Sequence, residues 1–185
     1  MRTTVILASI AIGVVCSAQS NAPDQTSRRK LDRNEVIQGY QCAKTYAWFY
    51  TGGRLQRCTV SQETIFGEVK VPAGSIIHLL PDGHPNYAMM AHNTLVLGLN
   101  CSGGGPLGPS EGATAMFYPS GKFKSCFLAK DQLVQGVPCA HGGIVQAIVH
   151  RDVPVELYEN GRLKSCLLAA DHPGQRRGDR FEQGP

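Results

Sequence analysis

Cysteine is the residue type in this chain whose spacing carries the clearest chemistry. Cys58, Cys126 and Cys166 each lie five residues after a glycine (Gly53, Gly121, Gly161), and Cys42, Cys101 and Cys139 each lie three residues after another (Gly39, Gly98, Gly136). A zinc site would need close pairs of the Cys-x-x-Cys kind, which the chain lacks. A reactive thiol would need a resolving cysteine nearby in sequence. Six regularly placed cysteines instead predict structural disulfides and an oxidising compartment. Cys16, the seventh, stands apart in an apolar amino-terminal segment.

The other chemistry-bearing residues form no recognisable constellation. His78, His84 and His92 follow no metal-ligand spacing, and with His141 they read as surface or turn residues, so no metal and no cofactor are expected. Ser125 and Ser165 recur in the phrase Lys-Ser-Cys, at a position that holds Arg57 and Tyr87 elsewhere, and read as strand residues rather than nucleophiles. There is no Gly-x-Ser-x-Gly elbow. Gly103-Gly104-Gly105 is followed by Pro106 and lacks the Lys and Ser/Thr of a phosphate loop. Arg177-Gly178-Asp179 and the formal sequon at Asn100 read as chance tripeptides. No catalytic residue is assigned. The densest aromatic cluster is Tyr46, Trp48, Phe49 and Tyr50. Strand alternation would put Trp48 and Tyr50 on one face, as candidate ligand-binding residues for a sugar ring or a protein, or as a cap on the open end of a sheet.

Export is expected from the amino terminus. Arg2, the apolar run Val5 to Val15 and the small residues Cys16-Ser17-Ala18 make a secretory signal peptide over 1–18, too short and wrongly flanked for a membrane span. No other run is long enough to cross a bilayer. The net charge of +4 is small, and its loss of Arg2 on cleavage makes it smaller, which argues against a nucleic-acid partner. Basic residues gather at the ends (Arg28, Arg29, Lys30; Arg176, Arg177, Arg180), and 19–30 and 172–185 read as a polar linker and a polar tail.

The elements that position the cysteines are repeats. With Gly53, Gly83, Gly121 and Gly161 in register, each is preceded by apolar or aromatic residues and followed by Arg54, His84, Lys122 or Arg162. Asp82-Gly83 and Asn160-Gly161 carry the signal of type I′ hairpin turns. A second set, Gly39, Gly67, Gly98 and Gly136, has Ile37, Ile65, Val96 or Val134 two residues earlier. The periodicity predicts a domain over 31–171 with four units: 31–59, 60–89, 90–127 and 128–168. Extra residues enter the last two, at Gly104 to Gly112, read as a loop, and at Ile144 to Val153, within which Ile144 to Val149 has the composition of an additional strand. Helical periodicity is missing, so the fold class is all-β: four tandem hairpin units in an elongated or partly closed antiparallel sheet.

All six cysteines fall at two repeat positions, and the unit without one lacks both, having Lys70 and Ala88 there. Joint loss selects pairing within units, Cys42–Cys58, Cys101–Cys126 and Cys139–Cys166, with bonds between adjacent units as the competitor. Each staple would contribute on the order of 3 kcal/mol by closing its loop.

The hairpin copies ELYENGRLKSCLLA (156–169) and MFYPSGKFKSCFLA (116–129) resemble the aromatic-x-x-Gly-basic-leucine hairpins of MORN-type repeats in exported bacterial proteins. The resemblance covers the hairpin half of each unit. It implies an elongated antiparallel sheet serving as a scaffold or binding surface. The second half, as in VQGVPCAHGG, has no counterpart there and points to a relative with its own cross-links. The functional expectation is an exported periplasmic or extracellular binding or structural module, not an enzyme, with a protein or carbohydrate surface as partner. A secreted hydrolase and a small inhibitor or toxin are the alternatives.

Overall fold

The computed structural model describes residues 26–105, 113–141 and 153–184. The expected signal peptide, most of the Gly/Pro-rich insertion and the segment 144–149 lie outside these residues. The described residues are almost wholly antiparallel β, with no α-helix. Along the chain run β1 (Ser27–Lys30), the short hairpin β2–β3 (Glu35–Ile37, Tyr40–Cys42) and the longer hairpin β4–β5 (Tyr46–Phe49, Leu55–Thr59). The alternation continues with β6–β7 (Thr64–Phe66, Val69–Val71), β8–β9 (Ile76–Leu79, Pro85–Met89), β10–β11 (Thr94–Val96, Leu99–Cys101) and β12–β13 (Thr114–Phe117, Phe123–Cys126). It closes with β14–β15 (Gln132–Val134, Val137–Cys139), β16–β17 (Val155–Leu157, Leu163–Leu167) and β18 (Arg180–Glu182).

The longer hairpins join with β1 and β18 into one ten-stranded sheet, ordered β1-β4-β5-β8-β9-β12-β13-β16-β17-β18. Each short hairpin is a two-stranded sheet of its own. Two turn chemistries separate the two kinds. The short hairpins are closed by two residues, and in three of them both have positive φ: Gln38 (50°) and Gly39 (86°), Leu97 (48°) and Gly98 (84°), Gln135 (51°) and Gly136 (87°). These are the type I′ turns, whose twist matches that of the flanking strands.

The longer hairpins have three-residue loops. Gly83 N–H donates to Leu80 O at 2.8 Å and Leu80 N–H to His84 O at 2.8 Å, with only the glycine of Asp82-Gly83 at positive φ. That is a type I turn followed by a left-handed glycine, repeated at Gly121 and Gly161. The type I′ expectation at Asp82-Gly83 and Asn160-Gly161 is therefore corrected. Asp82 Oδ1 accepts from His84 N–H at 2.9 Å and Asn160 Oδ1 from Arg162 N–H at 3.0 Å, which holds the preceding residue in its ordinary conformation.

Period-2 alternation divides the large sheet into an inner and an outer face. The inner side of the central row reads Ala47, Cys58, Ile77, Ala88, Ala115, Cys126, Val155 and Cys166, each at most 1% exposed. The short hairpins lie over this face, adding Ile37, Phe66, Val69, Val71, Val96, Leu99, Val134 and Val137 to the core. Three disulfides fasten the layers: Cys42 to Cys58, Cys101 to Cys126 and Cys139 to Cys166, with Cα–Cα distances of 5.8, 5.7 and 5.7 Å. An amide or carboxylate pins the base of each stapled hairpin. Asn34, Asn93 and Asp131 accept at 2.9, 2.9 and 2.8 Å from the backbone N–H of Lys44, Gly103 and His141.

The second hairpin departs from the expected register. Thr64 pairs with Val71 as Thr94 pairs with Cys101, so Val71, not Lys70, stands at the cysteine position. Its glycine occupies the first turn position instead of the second, because the segment before it is one residue shorter. Counting from glycine thus slips by one, and a slip of one in a strand exchanges faces. Ile65, aligned by glycine with Ile37, is 57% exposed, and Phe66 is the buried counterpart. Phe66 packs edge-on against Tyr40 and Phe117 with ring centroids 5.7 and 5.1 Å away, an aromatic anchor in place of a disulfide.

Two segments read as linker and tail contain strands. Residues 27–30 form β1 against β4, and 180–182 form β18 against β17. All four β1 side chains are exposed, so no apolar alternation announces the strand. The backbone ladder holds it, with Arg28 over the Tyr46 ring at 4.3 Å and Arg29 over Phe49 at 5.3 Å. Since β1 covers the edge of β4, the aromatic cluster does not cap the sheet.

Two outcomes are expected from this geometry. The double variant Val71→Cys/Ala88→Cys should oxidise to a fourth bridge, and Lys70→Cys/Ala88→Cys should not; non-reducing peptide mapping reads the difference. At Gly67 (φ +60°), an added Cβ would stand 2.2 Å from Gly121 O, whereas at Gly98 nothing lies within 4 Å. Gly98→Ala should therefore cost about 1–2 kcal/mol of backbone strain, and Gly67→Ala more, about 3–5 kcal/mol, as shifts in the urea midpoint of the oxidised protein.

Candidate binding face

The outer face of the large sheet is half-buried at Trp48, Arg57, His78 and Tyr87, and buried farther along at Ser125 (5% exposed) and Ser165 (1%). One cross-strand row runs its full width, from Arg28 through Trp48, Arg57, His78, Tyr87, Met116, Ser125, Glu156 and Ser165 to Glu182. A second row beside it brings Ile76, Met89 and Thr114 together, with Thr59 opposite Ile76. At the β1 edge, Lys30 opposes Tyr46.

The row changes character along its length. At the β1 end the Arg57 guanidinium lies over the Trp48 ring, 3.9 Å from its centroid. His78 and Tyr87 stack at 4.6 Å with an interplanar angle of 11°. Asn86 Nδ2 is 3.3 Å from His78 Nδ1 and donates to it when that nitrogen carries no proton. Burial lowers the His78 pKa from its ordinary value, and the neighbouring Arg57 charge lowers it further. Toward β18 the charges are internally matched: Glu156 meets Lys164 at 3.0 Å and Lys124 at 3.8 Å. At the β1 end, Arg28 and Arg57 have neither a carboxylate partner nor a hydrogen-bond acceptor among the described residues.

Of the two expected ligand-binding residues, Trp48 is on this face and Tyr50 is not. β4 ends at Phe49, and Tyr50 opens the turn, donating from its N–H to Arg54 O at 2.8 Å. Its ring is 8% exposed, and its hydroxyl donates to Leu79 O at 2.7 Å. Tyr118 and Tyr158 repeat the bond, donating to Leu157 O at 2.8 Å and Gln183 O at 2.6 Å. These tyrosines tie one hairpin to the next strand along. The expectation that Tyr50 shares a face with Trp48 fails because the chain leaves the strand one residue earlier.

Arg57, His78 and Tyr87 come to Trp48 from three other strands and were not singled out as a group by sequence. A signal was present: Arg57 and Tyr87 occupy the repeat position that holds Ser125 and Ser165 later, so the outer face differs between the two halves of the array.

Elsewhere, His84 and His92 are exposed, and His141 Nδ1 is 2.6 Å from Asp131 Oδ1. Burial raises the Asp131 pKa, but the His141 backbone and ring bonds outweigh it and leave the carboxyl below its usual range. The Asp179 carboxylate of the Arg-Gly-Asp tripeptide accepts from Arg176 N–H at 2.8 Å. Ser125 and Ser165 lie in β13 and β17, and Arg180 Nη2 donates to Ser165 Oγ at 3.3 Å. A cleft of about 370 Å³ between hairpin turns is lined by Leu97, Leu99, Gln132, Leu133, Val134 and Leu157, without a titratable group. Among the described residues no three His, Cys, Asp or Glu side chains gather as a metal set. No helix among them is long and apolar enough to cross a membrane. No protein-family model, curated protein or solved structure matches the chain.

The lowered His78 pKa has a stability consequence. Between the ordinary value of 6.5 and the lower folded value, the unfolded chain binds the proton and the folded chain does not. His78 therefore favours folding above that window, and its contribution is lost as the pH falls through it. The decline in urea midpoint from pH 7.5 to 5 should be shallower in His78→Gln than in the parent protein.

Proposed function

We propose that this chain is an exported binding module of the periplasm or extracellular space, and that the outer face of its large sheet is the binding surface. The observation that carries this reading is the cluster at the β1 end: rings and cations from five adjacent strands on a half-exposed face, with two guanidinium groups that have no carboxylate and no hydrogen-bond acceptor among the described residues. Polar side chains held in such a state are suited to an external ligand. The three disulfides mark a protein of an oxidising compartment and support export. The resemblance of the longer hairpins to MORN-type repeats supports a scaffold with four units, each a short and a longer hairpin.

A rigid site on strands suits binding more than turnover, since no nucleophile–base pair accompanies the cluster among the described residues. The test is a glycan array probed with the mature, oxidised protein and with Trp48→Ala, each checked by its disulfide map. Trp48→Ala is expected to lose about tenfold or more in binding, as buried aromatic anchors do. Binding that survives unchanged in Trp48→Ala would place the surface elsewhere.

A further inference from the structure

We infer that the ligand of this face is an acidic polysaccharide strand, held by its carboxylates on Arg57 and Arg28; the inference rests on the outer-face reading above. The charge balance is the first argument. The carboxylates of the outer row are already engaged: Glu156 with Lys164 and Lys124, Glu182 with Arg180 at 2.9 Å. The cluster itself holds Arg28, Lys30, Arg57 and His78 without an acid between them. A guanidinium over an aromatic ring makes no hydrogen bond to it, so the forked N–H donors of Arg57 stay available to a carboxylate.

The second argument selects among anionic polymers. A nucleobase would need the bare face of Trp48 or Tyr46 for stacking, and each ring already has a guanidinium over it, at 3.9 and 4.3 Å. A carboxylate takes the guanidinium edge and leaves these pairs intact. The third argument is dimensional. Arg28 and Arg57 flank Trp48 on successive strands, with Cα atoms about two strand spacings apart, ~10 Å, and both guanidinium groups lean onto β4, over Tyr46 and Trp48, whose ring centroids are 6.3 Å apart. A linear polyuronate lying across the strands, with a carboxylate on every sugar, would present more than one carboxylate to this pair. Beyond Arg57 the row offers the Tyr87 hydroxyl, with Thr59 in the row beside it, as partners for hydroxyl groups. Full protonation of His78 at low pH would add a further cation to the same end.

Affinity electrophoresis in polygalacturonate, in its fully methyl-esterified form and in a neutral glucan tests this. The free acid should retard the protein. Esterification should weaken binding about tenfold or more, and Arg57→Gln and Arg57→Lys should each do the same, the lysine keeping the charge but not the fork. Lys70→Ala, which removes a charge from the hairpin layer, should bind as the parent does. Disulfide maps of all variants establish that they fold. Equal binding of the free and esterified polymers that disappears in Trp48→Ala overturns the acidic ligand and leaves the outer face as the surface. Binding to the free acid that withstands both Trp48→Ala and Arg57→Gln overturns the face as well. An absence of binding to polygalacturonate, or tighter binding to a single-stranded oligonucleotide or to phosphatidylserine vesicles, overturns the proposal.

Discussion

The molecule depends on the contact between a row of small or thin inner residues on the large sheet and the short hairpins laid across it. An antiparallel sheet of this width exposes two faces, and a single hairpin has no second layer with which to hide one. Alanine at 47, 88 and 115, and cysteine or a β-branched residue at the intervening positions, keep the inner surface low. The hairpins therefore approach closely enough for half-cystines to bridge the layers. The tall side chains that fill the space, Phe66, Phe117, Phe123, Leu55 and Leu163, sit off this row, toward the turns. Small residues set the approach of the layers, large ones close the gaps, and the disulfides hold a geometry that the packing already defines.

Much of that architecture is legible in the sequence, because glycine at a left-handed position is nearly obligatory in both kinds of turn. Two glycine sets and two cysteine positions were enough to describe an all-β repeat chain with staples. What glycine could not convey was which of the two residues of a turn it occupied. At Gly67 it takes the first place, so side chains counted from it exchange inside for outside, and Lys70 stood in for Val71. The strands at 27–30 and 180–182 were hidden for another reason. The strand at 27–30 is exposed throughout, so Ser-Arg-Arg-Lys shows no alternation, and at 180–182 three residues with the single half-buried Phe181 are too short a pattern to read. Their signal is the neighbour they pair with.

The candidate site was half legible. Trp48 stood out by residue type, yet its working neighbours come from β1, β5, β8 and β9, and only pairing register brings Arg28, Arg57, His78 and Tyr87 into one line. Tyr50 misled because alternation was extended one residue beyond the strand. A repeat architecture makes this kind of site possible: inner positions must recur for the layers to fit, while outer positions are free to diverge. The hairpin layer has its own outward regularity. Val36, Ile65, Leu95 and Leu133, between 57% and 72% exposed, occupy one position in successive short hairpins.

The uneven distribution of staples has a mechanical meaning. Sequence separations of 16, 25 and 27 residues lie between bonded cysteines, and no such link crosses the segment from Val60 to Leu99. A chain pulled from its two ends could not straighten the stapled loops, whatever became of their hydrogen bonds. Slack would come from the outer strands and from the one module among the described residues that has no disulfide. Tension would therefore be relieved first next to Arg57, His78 and Tyr87, where the cross-strand row depends on β8 and β9 staying in register. Stretch would thus oppose occupancy of the outer face by the proposed ligand, as in a clasp that opens when its strap is drawn.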